Sequence, residues 1–343
     1  MLVSVLNAVE SSGDWSLELV DLIPAKSIVW EEQFAKIGVA QVVFVNDTRA
    51  KREIKVDRFF LIQGTITPMY IHTVQSRKDK NELWAYCYEA KGLWQKKPAI
   101  NLGDNNSGEQ SIKTAIEAEV LRSGETSLLD ISSNVWPAIG DANLDLMEYY
   151  NVHDYIQQAL DLGNAGFTCR LDNATGKLYF YGYAGVDKSD TVIFSSSLGS
   201  AKDITYTESA EKELTRVYAI GLDGTTPVFA YADAAGSYHD IWAKHIDVRG
   251  EFPRPADMSL ADYTDALQTR ARIALAESGR KFIVAVGSID MSRLGIDYQM
   301  GDTVGVAIPE YSVMATARVA GIKRTIEGML ERQVLLLDKI SVQ

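Results

Sequence analysis

Short apolar runs of strand length, separated by polar turn signals, recur along most of the chain, and that period limits it to a fold dominated by β-sheet. Trp15, Leu17 and Leu19 alternate with Ser16 and Glu18, the pattern of a half-buried strand. Val42 to Val45 and Phe59 to Ile62 are continuous apolar runs, and Met69 to Val74 and Leu83 to Glu89 flank the polar connection Arg77 to Asn81 as a hairpin would. Phe167 to Leu171 and Leu178 to Tyr183 repeat the arrangement around the turn Asp172 to Gly176. Strands are expected again at Val192 to Ser195, Leu214 to Ile220, Val228 to Tyr231, Tyr238 to Val248, Phe282 to Ile289 and Thr303 to Ile308. Val313 to Ile326 and Met329 to Leu337, joined by Glu327-Gly328, read as a final long hairpin.

Three segments switch to the helical period. Ser107 and Gln110 have capping-box spacing before Ile112, Ala115, Ile116 and Val120. Asn151 precedes an apolar stripe of Val152, Tyr155, Ile156, Ala159 and Leu160. Ser259 and Asp262 form a second box before Leu260, Tyr263, Leu267, Ala271 and Ala274, with Gly279 as the stop. At 343 residues the chain exceeds one ordinary core, so two to four domains are expected, with Arg249 to Pro255 as a linker.

Composition narrows the function classes. Thirty-four Lys and Arg stand against 46 Asp and Glu, a net charge of −12. That balance argues against a general nucleic-acid binder and against docking on an anionic membrane. Cys87 and Cys169, each in an apolar run, make no disulfide framework, and folding in a cytoplasm is expected. The start, Met1 to Leu6, lacks a basic region ahead of its short apolar run, so no signal peptide is expected, and no apolar stretch reaches the ~18 residues of a membrane span.

Chemistry is sparse. His72, His153, His239 and His245 have no metalloprotease spacing. His239 and His245 share a strand face, but two ligands fall short of the usual three or four. No phosphate-binding glycine loop and no nucleophile elbow occurs. Asp187 and Asp190 are a carboxylate pair of the kind that acts on sugars, placed in a turn where Asp ordinarily caps its own backbone. Trp84, Tyr86 and Tyr88 share one strand face, and Trp94 and Trp136 flank the insert. Such a face reads either as a carbohydrate platform or as a sheet core or subunit contact. The sequence therefore nominates no catalytic, cofactor-binding or metal-ligating residue, implies no cofactor, and leaves interface residues unassigned.

One stretch carries a family signal. Leu178 to Gly221 runs LYFYGYAGVDKSDTVIFSSSLGSAKDITYTESAEKELTRVYAIG. It resembles the baseplate-hub, tail-associated tail-tip proteins of siphophages, with their G-x-D-[RK]-S, V-x-F-S and G-N-[LI] segments followed by Tyr and Ser. The matching residues are Gly185, Asp187, Lys188, Ser189, Val192, Phe194, Ser195, Gly199, Tyr206 and Ser209. Ser200 stands where the pattern has Asn, and Leu214-Thr215 replaces another Asn before the last strand. Glu31 to Phe44 resembles the family's early strand pair, and Tyr298 to Val304 resembles the Y-x-x-GD-x-V opening of a hub barrel.

The resemblance implies an α+β, mostly β fold: two small β-barrel tube-type domains with an α/β insert. The first barrel is expected at 1–100, completed by strands within 184–248, the insert at 101–183, and the second barrel at 249–343. It further implies a structural, non-enzymatic subunit of the virion tail tip, made in the host cytoplasm. Three copies would form a hub joining the sixfold tail to the threefold tip and lining the DNA exit channel. The implied partners are the chain itself as a homotrimer, a distal tail protein ring, a tape measure protein and tail fibre or receptor-binding proteins. DNA would pass without specific binding. An acidic channel wall is expected, with Asp203, Glu208, Glu211 and Glu213 as candidates. The alternatives are a carbohydrate-binding adhesin of the virion and a glycan- or peptidoglycan-cleaving enzyme.

Overall fold

Alternation of apolar and polar residues gives the first six strands one face each for an enclosed core. They are β1 (Leu2–Ser11), β2 (Asp14–Gln33), β3 (Val39–Val45), β4 (Phe59–Ile62), β5 (Met69–Arg77) and β6 (Glu82–Glu89). In the computed structural model β1 pairs with both β2 and β4, and the path continues β4–β5–β6–β3–β2, so the six strands close into a ring. Every pairing in the ring is antiparallel. Residues of one parity, among them Val3, Val5, Ile23, Val42, Phe60, Ile71, Leu83 and Cys87, meet in one buried cluster. Helix α1 (Thr48–Glu53), capped by Asp47 at the Ala50 amide, adds Ala50 to that cluster, and Ile54 follows it in.

The described residues are 1–12, 14–63, 65–96, 128–130, 137, 152–163, 165–209, 213–234, 243–278, 281–287, 294–311, 313–328 and 330–342. The helix expected over Ile112 to Val120, together with Trp136 and His239, lies outside them. Of the insert, β7 (Leu129–Asp130), β8 (Ala165–Asp172) and β9 (Lys177–Ala184) form a sheet in the order β7-β9-β8. Helix α2 (Val152–Gly163) buries Val152, Ile156 and Leu160 completely. They pack with Phe167, Cys169 and Phe180 of β8 and β9, and with Leu6, Leu17 and Phe59 on the ring strands. The ring thus carries an apolar cluster on each face, as period-2 alternation requires.

β2 is twenty residues long and carries the sheet beyond the ring. Its first part pairs with β1, while Ser27–Gln33 pairs with β17 (Val313–Glu327). β17 pairs in turn with β18 (Leu330–Val342) and with β16 (Thr303–Ile308), beside which β10 (Ile193–Ser195) lies parallel. β15 (Lys281–Gly287) pairs with β18 through Val284–Gly287. With β11 (Lys202–Ser209) these make one twelve-stranded sheet. The fold is α+β and mostly β.

The chain divides into two compact units, Met1–Ile204 with Val284–Gln343, and Thr205–Ile283. The second holds β12 (Arg216–Asp223), β13 (Thr226–Asp233) and β14 (Ala243–Asp247) in a sheet of order β13-β12-β14, and helix α3 (Leu260–Glu277) packs on β12 and β13. Ser259 accepts the Asp262 amide at 3.1 Å, the expected cap. The ring closes without strands from 184–248, because β4 already joins β1 and leaves it no free edge. Arg249 to Pro255 folds within the second unit: Phe252 packs on Tyr263 at 5.3 Å, the Tyr263 hydroxyl donates to its carbonyl at 2.6 Å, and Arg254 N–H donates to the Leu222 carbonyl. The prolines punctuate a turn folded back on its own sheet. No helix among the described residues is long and apolar enough to cross a membrane.

Candidate functional site

The two segments that carry the family resemblance, more than a hundred residues apart, lie against each other. Thr303 N–H donates to the Val186 carbonyl at 3.0 Å, and Lys188 N–H donates to the Thr303 carbonyl at 2.8 Å. From there the parallel pair β10–β16 continues, with Phe194 opposite Val306. Asp302 is fully buried at the centre. One carboxylate oxygen accepts the Val186 amide at 2.8 Å, and the other accepts the Gln299 amide at 3.0 Å and the Lys188 ammonium at 2.9 Å. Lys188 also donates to the Asp297 carbonyl at 2.8 Å. The rings of Phe194 and Tyr298 close the junction edge to face, 5.3 Å apart. Ser200, which stands in place of the family's Asn, accepts the Ser195 amide at 2.9 Å and donates to the Ile193 carbonyl at 2.8 Å, closing the turn after β10.

Two glycines make this contact sterically feasible. A Cβ on Gly185 would lie 1.7 Å from the Gly301 carbonyl oxygen. Gly301 has φ +94°, and a Cβ there would meet the Phe34 ring at 2.3 Å. Gly185→Ala is therefore expected to cost more than about 3 kcal/mol, since backbone rather than a flexible side chain must yield. Thermal unfolding of the purified variant checks this, and an unchanged midpoint would refute the close approach.

Asp187 and Asp190 sit in the same turn. Asp187 accepts the Ser189 amide at 2.9 Å and the Ser189 hydroxyl at 2.7 Å, and these bonds hold its carboxyl below the usual range. A general acid needs the opposite shift. Trp84, Tyr86 and Tyr88 do share the outer face of β6, each half-buried. The Arg77 guanidinium lies 3.8 Å over the Trp84 ring, and His72 stacks on Tyr88 at 5.3 Å, so own-chain groups already cover ring faces that a sugar would need. Trp94 is buried against Phe180. His153 is buried in α2, while His72 and His245 are exposed on separate strands. Both cysteines are buried, and burial pushes both thiols up, away from nucleophilic use. Among the described residues no three His, Cys, Asp or Glu side chains group as metal ligands.

A second polar centre was not legible in the sequence. Glu89 and Lys91, at the end of β6 and in the 3₁₀ turn Ala90–Lys96, form an ion pair at 3.0 Å with both side chains almost fully buried. Glu89 accepts the Gly38 amide at 2.6 Å. Lys91 donates to the carbonyls of Gln33 and Phe167, joining β2 and β8. Burial pushes the Glu89 carboxyl up and Lys91 pulls it back down.

A closed antiparallel ring, extended through one long strand into further strands of the same sheet, defines the class: it is a fold shared with phage tail proteins. Over 98% of its length the chain superimposes on 96% of a tail protein from Neisseria meningitidis MC58, with TM-score 0.57 and 15% identity. The 43 kDa tail protein of prophage MuSo2 from Shewanella oneidensis matches 99% of the chain over 98% of its own, with TM-score 0.56 and 12% identity. Prophage tail protein gp18 from Listeria monocytogenes EGD-e matches with TM-score 0.53 and 8% identity, covering 99% of this chain and 95% of its own. Residues 105–334 match the model of the Siphovirus ReqiPepy6 Gp37-like proteins, and the chain belongs to that family. No curated protein matches the sequence. The chain is therefore a member of a siphovirus protein family with a fold shared by phage tail proteins.

Proposed function

We propose that the chain is a baseplate-hub subunit of a siphophage tail tip. In this reading three copies form a ring that joins the sixfold tail to the threefold tip and lines the DNA exit channel. The observation that carries it is the closed six-stranded ring, continued by β2 into further strands of the same sheet; in this reading each chain contributes two β-bodies, six in a trimer, a count that matches sixfold neighbours. The partners are a distal tail protein ring, a tape measure protein and tail fibre or receptor-binding proteins. The chain works as a non-enzymatic part, and the occupied ring faces at Trp84 and Tyr88 weigh against the adhesin reading.

In the assembled ring, Asp and Glu are expected to outnumber Lys and Arg along the channel, because a cationic wall would hold DNA by counterion release. Of the acids singled out for that wall, the Glu213 side chain is half-buried in the second unit, and those of Asp203, Glu208 and Glu211 lie outside the described residues. Mass photometry of the purified chain and electron microscopy of tail tips test the proposal. A threefold ring is the expected result. A chain that stays monomeric at micromolar concentration, and occurs as one copy per tail tip, would end the hub reading.

A further inference from the structure

Helix α2 is seated by Val152, Ile156 and Leu160 in the cluster that contains Trp94 and Phe167. His153, next to the first of these, is only 3% exposed, and its ring centroid lies 5.8 Å from that of Phe167. Nδ1 is 3.2 Å from an Asp154 carboxylate oxygen, which favours the neutral tautomer with the proton on Nδ1. Nε2 is buried without a hydrogen-bond partner among the described residues. A proton added there would create a donor with no acceptor and place a charge in an apolar cluster, and both are costly.

Among the described residues the groups around the ring do not compensate. Asp154, on the same helix, attracts the charged form, but its side chain is 41% exposed and screened by water. Lys91, from the turn Ala90–Lys96, lies over the same Phe167 ring at 5.1 Å and repels a second cation. Glu89, at the end of β6, is engaged by Lys91 and the Gly38 amide. Cys169, on β8, is a buried thiol that stays protonated and neutral. Burial is the main cause that holds His153 below its ordinary value, with Asp154 opposing and Lys91 reinforcing.

We infer that His153 is an acid-sensitive latch: the neutral imidazole lets α2 sit on the ring, and protonation loosens the helix from that seat. The sign follows from linkage. A depressed folded-state value means the stabilisation is complete above the ordinary histidine value of 6.5 and is lost as pH falls below it.

Hydrogen exchange of the full chain, corrected for intrinsic chemical rates, tests the latch at pH 7.5 and 5.5. Opening of the Val152–Gly163 amides is expected to rise several-fold, by at most about tenfold per pH unit below the ordinary value, while β17 and β18 stay protected. His153→Gln, neutral at both values, is expected to abolish the difference. A difference that persists in H153Q overturns the latch, as does helix protection that is equal at the two pH values in the wild type. Should H153Q fail to fold, ring-carbon NMR of wild-type His153 decides. Proton uptake coincident with loss of helix protection supports the latch, and uptake at the ordinary value with the helix still protected overturns it.

Discussion

Replacing Asp302 with alanine is expected to lower the unfolding free energy by about 3–5 kcal/mol, among the largest single losses available in this chain. The carboxylate is fully buried and satisfies the amides of Val186 and Gln299 and the ammonium of Lys188. Alanine leaves the two amides without an acceptor, at about 1–3 kcal/mol each. Lys188 is 31% exposed along its side chain and can turn to water, so its share of the loss is the smaller one. Asp302→Asn keeps one carbonyl oxygen for the Val186 amide and is expected to cost roughly half as much. The exposed Asp257 is the control, and its alanine variant is expected to stay within about 0.5 kcal/mol of wild type. Denaturant unfolding measures all three, and a loss below about 1 kcal/mol for D302A would show that the motif junction is not held by its aspartate.

Lys91→Met is expected to cost about 3–5 kcal/mol for a different reason: it leaves the Glu89 charge buried without its partner. The carbonyls of Gln33 and Phe167 lose their donor in the same step, so β8 loses a tie to β2. The pair as a whole stabilises far less than the single variant suggests, because burying both ions is itself costly. The double variant Glu89→Leu with Lys91→Met is expected to recover most of the loss, with the Gly38 amide as the residual cost. The two single variants and the double variant form a thermodynamic cycle, and a coupling energy near zero would mean that the two ions stabilise the fold independently.

Local physics made much of this protein legible. The strand at Thr303–Ile308 and the helix starting after Ser259 were expected from alternation and from a capping box, both of which act within a few residues. The turn at Glu327-Gly328 follows the same logic, since Gly328 has φ +62°. The outward set of Trp84, Tyr86 and Tyr88 was readable from the period of two, but Arg77 and His72, which cover two of the rings, come from the neighbouring strand β5.

Partnership is what alternation cannot encode. A period of two says which face of a strand is apolar, not which strand lies beside it, and so Trp15 to Leu19 read as an ordinary strand although β2 runs on to Gln33 and pairs with β17 beyond the ring. The prolines of Arg249 to Pro255 looked like a linker because proline marks a turn equally well inside a domain and between domains. Lys188 and Asp302 each appeared in a motif, yet nothing within either segment states that a parallel register would bring them to 2.9 Å. Glu89 read as the end of a strand and Lys91 carried no sequence signal; only the packing of β8 over them removed their water and turned two surface-type charges into a buried pair. The amino-acid sequence by itself determined the elements, their caps and their apolar faces, because those depend on neighbours a few bonds away. The tertiary structure decided ring closure, the division at Thr205–Ile283 and the locking of the two motifs, because those depend on contacts between segments that chain order leaves free.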